Sequence, residues 1–284
     1  MQSLKNKTAL VTGGARGIGK AISKQLLKDG ASVLICSRKK EELINTCREL
    51  DPSGKKLFYF VADVSDFDQC KELFVYAKKI FNNKIDILVN NAGIYGPIGL
   101  LEDTSVEEWL HAIQVNLLGT VHCTKLILSL MRRQRQGKII NLAGAGIGGP
   151  KLLSRASAYY VSKAGVVAFT EVVAAEVLED NIQINCISPG AINTFFVDYL
   201  LSQDPKKAGP MYEEALNLKK TGGYSLEPVM TLVSFLASDE SNSITGKILS
   251  AKWDKIETLK KLTPENKNKF VLRRIDEDLF SEKK

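Results

Sequence analysis

The chain has 284 residues, 44% apolar and 25% charged, with a formal charge of +7. That is the composition of a soluble globular protein large enough for one α/β domain. No apolar run nears the roughly 20 residues of a membrane span, and Met1 to Lys7 lacks the apolar core of a leader. The positive charge is dispersed. Its one cluster, Arg132-Arg133-Gln134-Arg135, has no interleaved aromatics, which argues against nucleic-acid binding.

Strand-like and helix-like segments alternate along the chain. Strands are expected at 8–12, 32–36, 57–62, 85–90, 138–142, 182–188 and 247–250, and helices at 17–28, 40–50, 66–80, 105–133, 156–179 and 227–237. The near-continuous apolar run at 85–89 suits a strand buried on both faces. Asp66 is expected to cap the third helix, and Ser105 with Glu108 to form a capping box on the fourth. Such alternation predicts a doubly wound, mostly seven-stranded parallel sheet, Rossmann-like, with helices on both faces. Ligands of such sheets bind beyond the carboxyl ends of the strands.

Residues 1–251 read as a single Rossmann-like domain. Within it, 194–224, with Pro205, Pro210, Gly222 and Gly223, is an irregular or helical insertion able to act as a lid. Residues 252–284 form a charged C-terminal extension holding Trp253, Arg273 and Arg274. It reads equally as a frayed tail or as a segment that docks through its apolar residues. The five cysteines are scattered and the two histidines isolated. This points to reduced thiols in a cytoplasmic protein and to no metal site.

The chemistry gathers at the strand ends. Thr12-Gly13-Gly14-Ala15-Arg16-Gly17-Ile18-Gly19 joins the first strand to the first helix. Glycines in a strand-to-helix turn let a pyrophosphate approach backbone N–H groups at a helix N-terminus. After the second strand stand Ser37 and Arg38, with no Asp or Glu at 35–40. An acidic residue there would bind a ribose 2′-hydroxyl, whereas an arginine suits a 2′-phosphate. Arg38, helped by Arg16, therefore points to NADP(H) over NAD(H), unless Arg38 is merely solvated. Asp63-Val64 ends the third strand, Asp63 being either an acceptor for an adenine amino group or a turn residue. Asn90-Asn91-Ala92-Gly93 ends the fourth, small residues giving a cofactor room and Asn90 able to brace strands.

Tyr159 and Lys163 lie four residues apart, on one face of the predicted helix. A tyrosine near pKa 10 is a poor acid–base group at pH 7; a neighbouring ammonium lowers that value. The pair then suits proton exchange with a carbonyl or alcohol oxygen as hydride moves.

Together these motifs make the chain resemble the short-chain dehydrogenase/reductase family over about residues 5–250. The resemblance rests on Thr12-Gly13-x-x-x-Gly17-x-Gly19, Asn90-Asn91-Ala92-Gly93, Asn116 in Val115-Asn116-Leu117-Leu118-Gly119, Tyr159-x-x-x-Lys163, and Pro189-Gly190 followed by Thr194. It implies a proton-relay role for Asn116, ribose binding for Lys163, and nicotinamide contacts from the segment holding Ile192 and Thr194. Tyr160 fails the spacing and is expected as a wall residue. The resemblance also implies a homodimer or homotetramer, formed through the helices at 105–133 and 156–179. Phe169, Val172, Val173, Ala174, Val177 and Leu178 are candidate contacts on the latter.

One position departs from the family pattern. The serine expected after the fifth strand falls on Ala143 or Gly144, with Gly144 preferred, and the next hydroxyl is Ser154. A lost oxygen donor costs about 3 kcal/mol in such sites. The leading expectation is an oxidoreductase acting on a small carbonyl or alcohol substrate; the alternative is a non-catalytic dinucleotide-binding or regulatory protein.

Overall fold

The computed structural model describes residues 4–144, 147, 154–262 and 269–272. Strands β1 (Thr8–Thr12), β2 (Ser32–Ser37), β3 (Leu57–Val61), β4 (Ile87–Asn90), β5 (Gly137–Leu142), β6 (Ile182–Ser188) and β7 (Ile248–Ser250) form one sheet in the order β3-β2-β1-β4-β5-β6-β7. Every neighbouring pair is parallel; Val11, for instance, is in register with Ile35 on one side and Val89 on the other. The doubly wound, seven-stranded parallel sheet expected from the alternation is thus the fold observed. Strand order reverses between β1 and β4, which opens a crevice at their carboxyl ends.

Successive residues of a strand point to opposite faces, and here both faces are apolar. Val11, Ile35, Val89 and Ile140 pack with Ile22 and Leu26 of α1 (Gly17–Lys28) and with Leu232 and Phe235 of α10 (Glu227–Ala237). Leu10, Leu34, Leu88 and Ile139 pack on the opposite face with Leu73 and Phe74 of α3 (Phe67–Ile80). α2 (Lys40–Leu50) completes the first half of the fold.

The helix expected over 105–133 is interrupted. α4 (Val106–Ile113) and α5 (Gly119–Gln134) flank a π-helical turn, Gln114–Leu118. One inserted residue hardly disturbs an apolar pattern, so periodicity does not reveal it. Ser105 caps α4 by accepting from Glu108 N, but the carboxylate its hydroxyl meets is that of Glu107, at 2.7 Å. The run 106–134 is long and apolar enough to cross a membrane by length and composition alone. Here its Cys123, Ile127, Leu130 and Met131 are buried with Leu88 and Ile139 of the sheet.

α6 (Ser157–Glu176) is followed by a 3-10 turn, Leu178–Asp180. Val173, Ala174 and Val177, expected to face a second subunit, are buried in the protomer's own core, with Phe169 packed against them. Val172 and Leu178 remain exposed. The insertion after β6 is helical: α7 (Phe195–Leu201), α8 (Pro205–Ala208) and α9 (Pro210–Thr221). Pro205 and Pro210 start their helices, where the missing N–H has no partner to lose. An antiparallel bridge between Ile192 and Gly223 closes the neck of the insertion.

Beyond β7, α11 (Ile256–Leu259) buries Leu259 in the core shared by α1 and α10. Phe270 packs against the same core, and its carbonyl accepts from Ile248 N at 2.8 Å on the outer side of β7. Arg273 and Arg274 lie outside the described residues.

Candidate active site

A cleft opens along the carboxyl ends of β1, β2, β4, β5 and β6. Its lining includes Gly13, Arg16, Gly17, Ile18, Gly19, Ser37, Arg38, Asp63, Val64, Ala92, Gly93, Tyr159, Lys163, Pro189, Gly190, Ile192 and Thr194. Most of the residues singled out along the chain therefore share one surface. Thr12, Asn90 and Asn116 do not; they stand behind it.

The turn leaving β1 is held from the β4 side. Asn91 Nδ2 donates to the carbonyls of Thr12 (2.9 Å) and Gly13 (3.1 Å), and Thr12 Oγ1 accepts from Asn91 N and Ala92 N. Thr12 is therefore a brace, with its hydroxyl occupied by backbone. Gly13 has φ +63° and no room for a side chain: a Cβ there would fall 2.9 Å from Asn91 Nδ2. A Cβ on Gly19 would lie 2.2 Å from Gly13 O, so helix and turn meet at a distance only glycine allows. The first turn of α1 carries no acidic side chain, leaving its N–H groups to an anion.

At the β2 end, Ser37 Oγ is buried without a hydrogen-bond partner. Arg38 Nη1 lies 3.7 Å from Asp63 Oδ2. Asp63 Oδ1 accepts from Ser65 N and Oγ, so Asp63 is a turn residue that also faces the cleft. Arg16 Nη1 lies 3.6 Å from Glu42 Oε1, an oxygen shared with Lys39 Nζ at 3.3 Å. Two guanidinium groups and a lysine thus line the cleft together with Ser37, a donor set suited to phosphate.

At the other end, α6 presents Tyr159 and Lys163. Lys163 Nζ donates to Leu142 O at 2.8 Å, and burial lowers its pKa to about 8. A Cβ on Gly93 would stand 3.4 Å from that amine. The expectation that Lys163 depresses the Tyr159 pKa is corrected here. Burial raises it above the usual tyrosine value, and Tyr95 adds to the rise. The cause is the ring cluster around it: Tyr95 lies 4.8 Å and Phe196 5.9 Å from Tyr159 by centroids, and Tyr199 stacks on Tyr95. The phenolate is desolvated there, while the Lys163 ammonium is turned to the Leu142 carbonyl.

Asn116 sits in the π-helical turn and is fully buried. Its Oδ1 accepts from Ile94 N (2.8 Å), while Nδ2 donates to Ile94 O and Ser162 Oγ. Ser162 Oγ in turn donates to Tyr159 O. The side chain thus ties the loop after β4 to the start of α6. Asn90 braces the sheet: its Nδ2 donates to Asn141 Oδ1 (2.8 Å) and Thr124 Oγ1. Tyr160 packs with Ala143, Ile147 and Val167 and does not line the cleft. Ser154 is exposed and is likewise absent from the lining.

Reading along the chain gave no role to Glu42, placed Tyr95, Phe195 and Phe196 only within the segments 94–101 and 194–224 expected to build the substrate pocket, and took Asn91 only as part of a motif. The aromatic pair directly after the Thr194 cap, whose Oγ1 accepts from Phe196 N, was the one available signal. Nothing in local pattern marks Glu42 or Tyr95.

The family model described as short chain dehydrogenase matches residues 7–205. The 3-oxoacyl-acyl-carrier-protein reductase FabG of Thermotoga maritima is 36% identical over 249 residues, 87% of this chain and 96% of its own length. A tropinone reductase homologue of Arabidopsis thaliana is 34% identical over 250 residues, 87% of this chain and 91% of the relative. Among solved structures, levodione reductase superposes with a TM-score of 0.77 at 29% identity, covering 87% of this chain and 96% of that one. An actinorhodin polyketide ketoreductase with NADPH also reaches 0.77, at 28% identity, covering 88% and 97%.

Proposed function

The chain belongs to the short-chain dehydrogenase family of oxidoreductases, and from that premise we propose that it moves hydride between NADP(H) and a carbonyl or alcohol substrate. The observation carrying this reading is a single cleft with a phosphate-binding end at Arg16, Ser37 and Arg38 and a proton-exchanging end at Tyr159 and Lys163. The residues fit the cofactor on two independent points: the buried, unpartnered Ser37 Oγ beside Arg38, and a glycine cradle that a Cβ at Gly13 or Gly19 would fill.

NADP(H), when bound, supplies or accepts the hydride. Arg16, Ser37 and Arg38 hold a 2′-phosphate, and the first turn of α1 with Gly13, Gly17, Ile18 and Gly19 takes the pyrophosphate. Asp63, Val64, Ala92 and Gly93 bound the adenosine side, and Pro189, Gly190, Ile192 and Thr194 the nicotinamide side. Lys163 orients the ribose. Tyr159 exchanges its hydroxyl proton with the oxygen of a carbonyl or alcohol substrate as hydride moves. Tyr95 and Phe196 exclude water from that hydroxyl. Asn116 sets the loop and helix that carry the site.

The exposed Val106 and Leu110 on α4, Leu118 in the π-helical turn, Val161 and Val172 on α6 and Leu178 after it support a homodimer or homotetramer. We assign catalysis to residues 1–251 and treat 252–284 as an extension. The five free cysteines favour a reducing, cytoplasmic setting.

Calorimetric titration with NADPH and NADH, followed by a carbonyl screen, tests this function. NADPH is expected to bind more tightly, and Tyr159→Phe to abolish turnover while leaving cofactor binding nearly intact. Equal affinities would remove the cofactor preference. Full activity in Tyr159→Phe would remove the acid–base assignment. Cofactor binding without turnover of any carbonyl would favour a regulatory protein, the reading that Gly144 invites.

A further inference from the structure

The lid meets the glycine loop at a point away from the reacting end. α7 begins with two phenylalanines that diverge. Phe196 joins the Tyr95 and Tyr159 rings, at 4.7 Å and 5.9 Å by centroids. Phe195 is 49% exposed and fills no core. Its ring covers the Arg16 guanidinium instead, with Cζ 3.8 Å from the ring centroid. Beside it, a Cβ built on Gly17 would come within 3.8 Å of Thr194, so lid and loop are in near contact along two consecutive residues.

The covered guanidinium belongs to the end of the cleft that holds Ser37 and Arg38. Arg16 is thus flanked by an aromatic face and by Glu42, 3.6 Å away. An arginine side chain free in water samples many rotamers, which binding must restrict. A partner that restricts it before the ligand arrives lowers the cost of binding. Phenylalanine has no group to offer a phosphate, so any effect it has passes through the guanidinium.

Resting on the NADP(H) reading above, we propose that Phe195 is a positioning residue for cofactor discrimination: its ring holds Arg16 at the 2′-phosphate end of the cleft and thereby links the lid to the choice between NADPH and NADH. The coupling is specific in kind. Loss of the ring affects the ligand with a 2′-phosphate and spares the one without it.

The test titrates wild type, Phe195→Ala, Phe195→Leu and Phe195→Tyr with NADPH and with NADH by calorimetry, and follows NADPH release by stopped-flow fluorescence. Thermal unfolding checks that each variant is folded, which the exposure of the ring favours. Phe195→Ala and Phe195→Leu are expected to raise the NADPH Kd roughly two- to fivefold, the size of an exposed cation–π contact, and to speed release to match. The NADH Kd stays within error, and Phe195→Tyr behaves as wild type. Equal weakening for both cofactors means a general lid defect and overturns the proposal, as does an unchanged NADPH Kd in Phe195→Ala. A wild type that binds neither cofactor, or both equally, overturns the cofactor reading and this proposal with it. That result appears before any variant is compared.

Discussion

A β-carbon built on Gly144 would stand 2.8 Å from Cε1 and 3.0 Å from Oη of Tyr159. Gly144, the position preferred from the sequence for the family serine, thus lies against the tyrosine ring. That ring is held from the other side by Tyr95 and Phe196 and has little room to retreat. The glycine is therefore more than a missing hydroxyl. It is the space that the proposed acid–base residue leans on.

Restoring the serine is accordingly expected to harm the enzyme. Gly144→Ser and Gly144→Ala should both lower stability by about 1–3 kcal/mol, the usual cost of overpacking, and both should reduce kcat. Thermal unfolding and steady-state rates of the two variants check this. A Gly144→Ser enzyme faster than wild type would show that the hydroxyl matters more than the contact.

Arg16 and Lys39 both lie within 3.6 Å of Glu42 Oε1, so on the proposed NADP(H) reading Glu42 would compete with the 2′-phosphate for them. Glu42→Gln removes the competing charge. The NADPH Kd is expected to fall by roughly two- to fivefold, in line with the modest worth of a partly exposed ion pair, with the NADH Kd unchanged. The gain should shrink at high salt. Calorimetry at two ionic strengths measures both effects, and weaker NADPH binding in the variant would make Glu42 an organiser of Arg16 instead of a competitor.

Lys138, at the opposite end of β5, predicts a pH dependence unrelated to catalysis. Its side chain is buried, with Nζ donating to Ser241 Oγ (3.1 Å) and Asn242 Oδ1 (2.6 Å). Burial lowers its pKa from the ordinary 10.5 to about 8; Asp239 opposes the change and Lys7 adds to it. Between those two values the unfolded chain binds more protons than the folded one. Its contribution to stability therefore rises with pH across that window, by up to about 1.4 kcal/mol per unit. The penalty is fully present below pH 8. Lys138→Met is expected to be more stable than wild type at pH 7 and to lose that advantage by pH 10.5. Denaturant unfolding at both pH values measures the difference, and an equal shift at the two would remove the charge explanation.

Some of this was written locally. Gly13, Gly17 and Gly19 after an apolar strand announce a phosphate turn because only glycine tolerates those angles and approaches. The strand and helix alternation announces the sheet because each element must bury a face. Tyr159 and Lys163 share a helix face through spacing alone. Other features are not local. The π-helical turn that buries Asn116 leaves the apolar pattern almost intact, and the partners of Asn116, Ile94 and Ser162, lie 22 and 46 residues away along the chain.

What the amino-acid order settled by itself was the sheet, the glycine turn and the placing of Tyr159 and Lys163 on one helix face, since each depends on backbone angles and short-range periodicity. What only the tertiary structure decided was the state of those residues. Burial among Tyr95 and Phe196 raises the Tyr159 pKa. Lys163 is turned to Leu142, and Arg16 lies between Phe195 and Glu42. Desolvation and charge depend on which distant segments arrive at a point, and that is a property of packing.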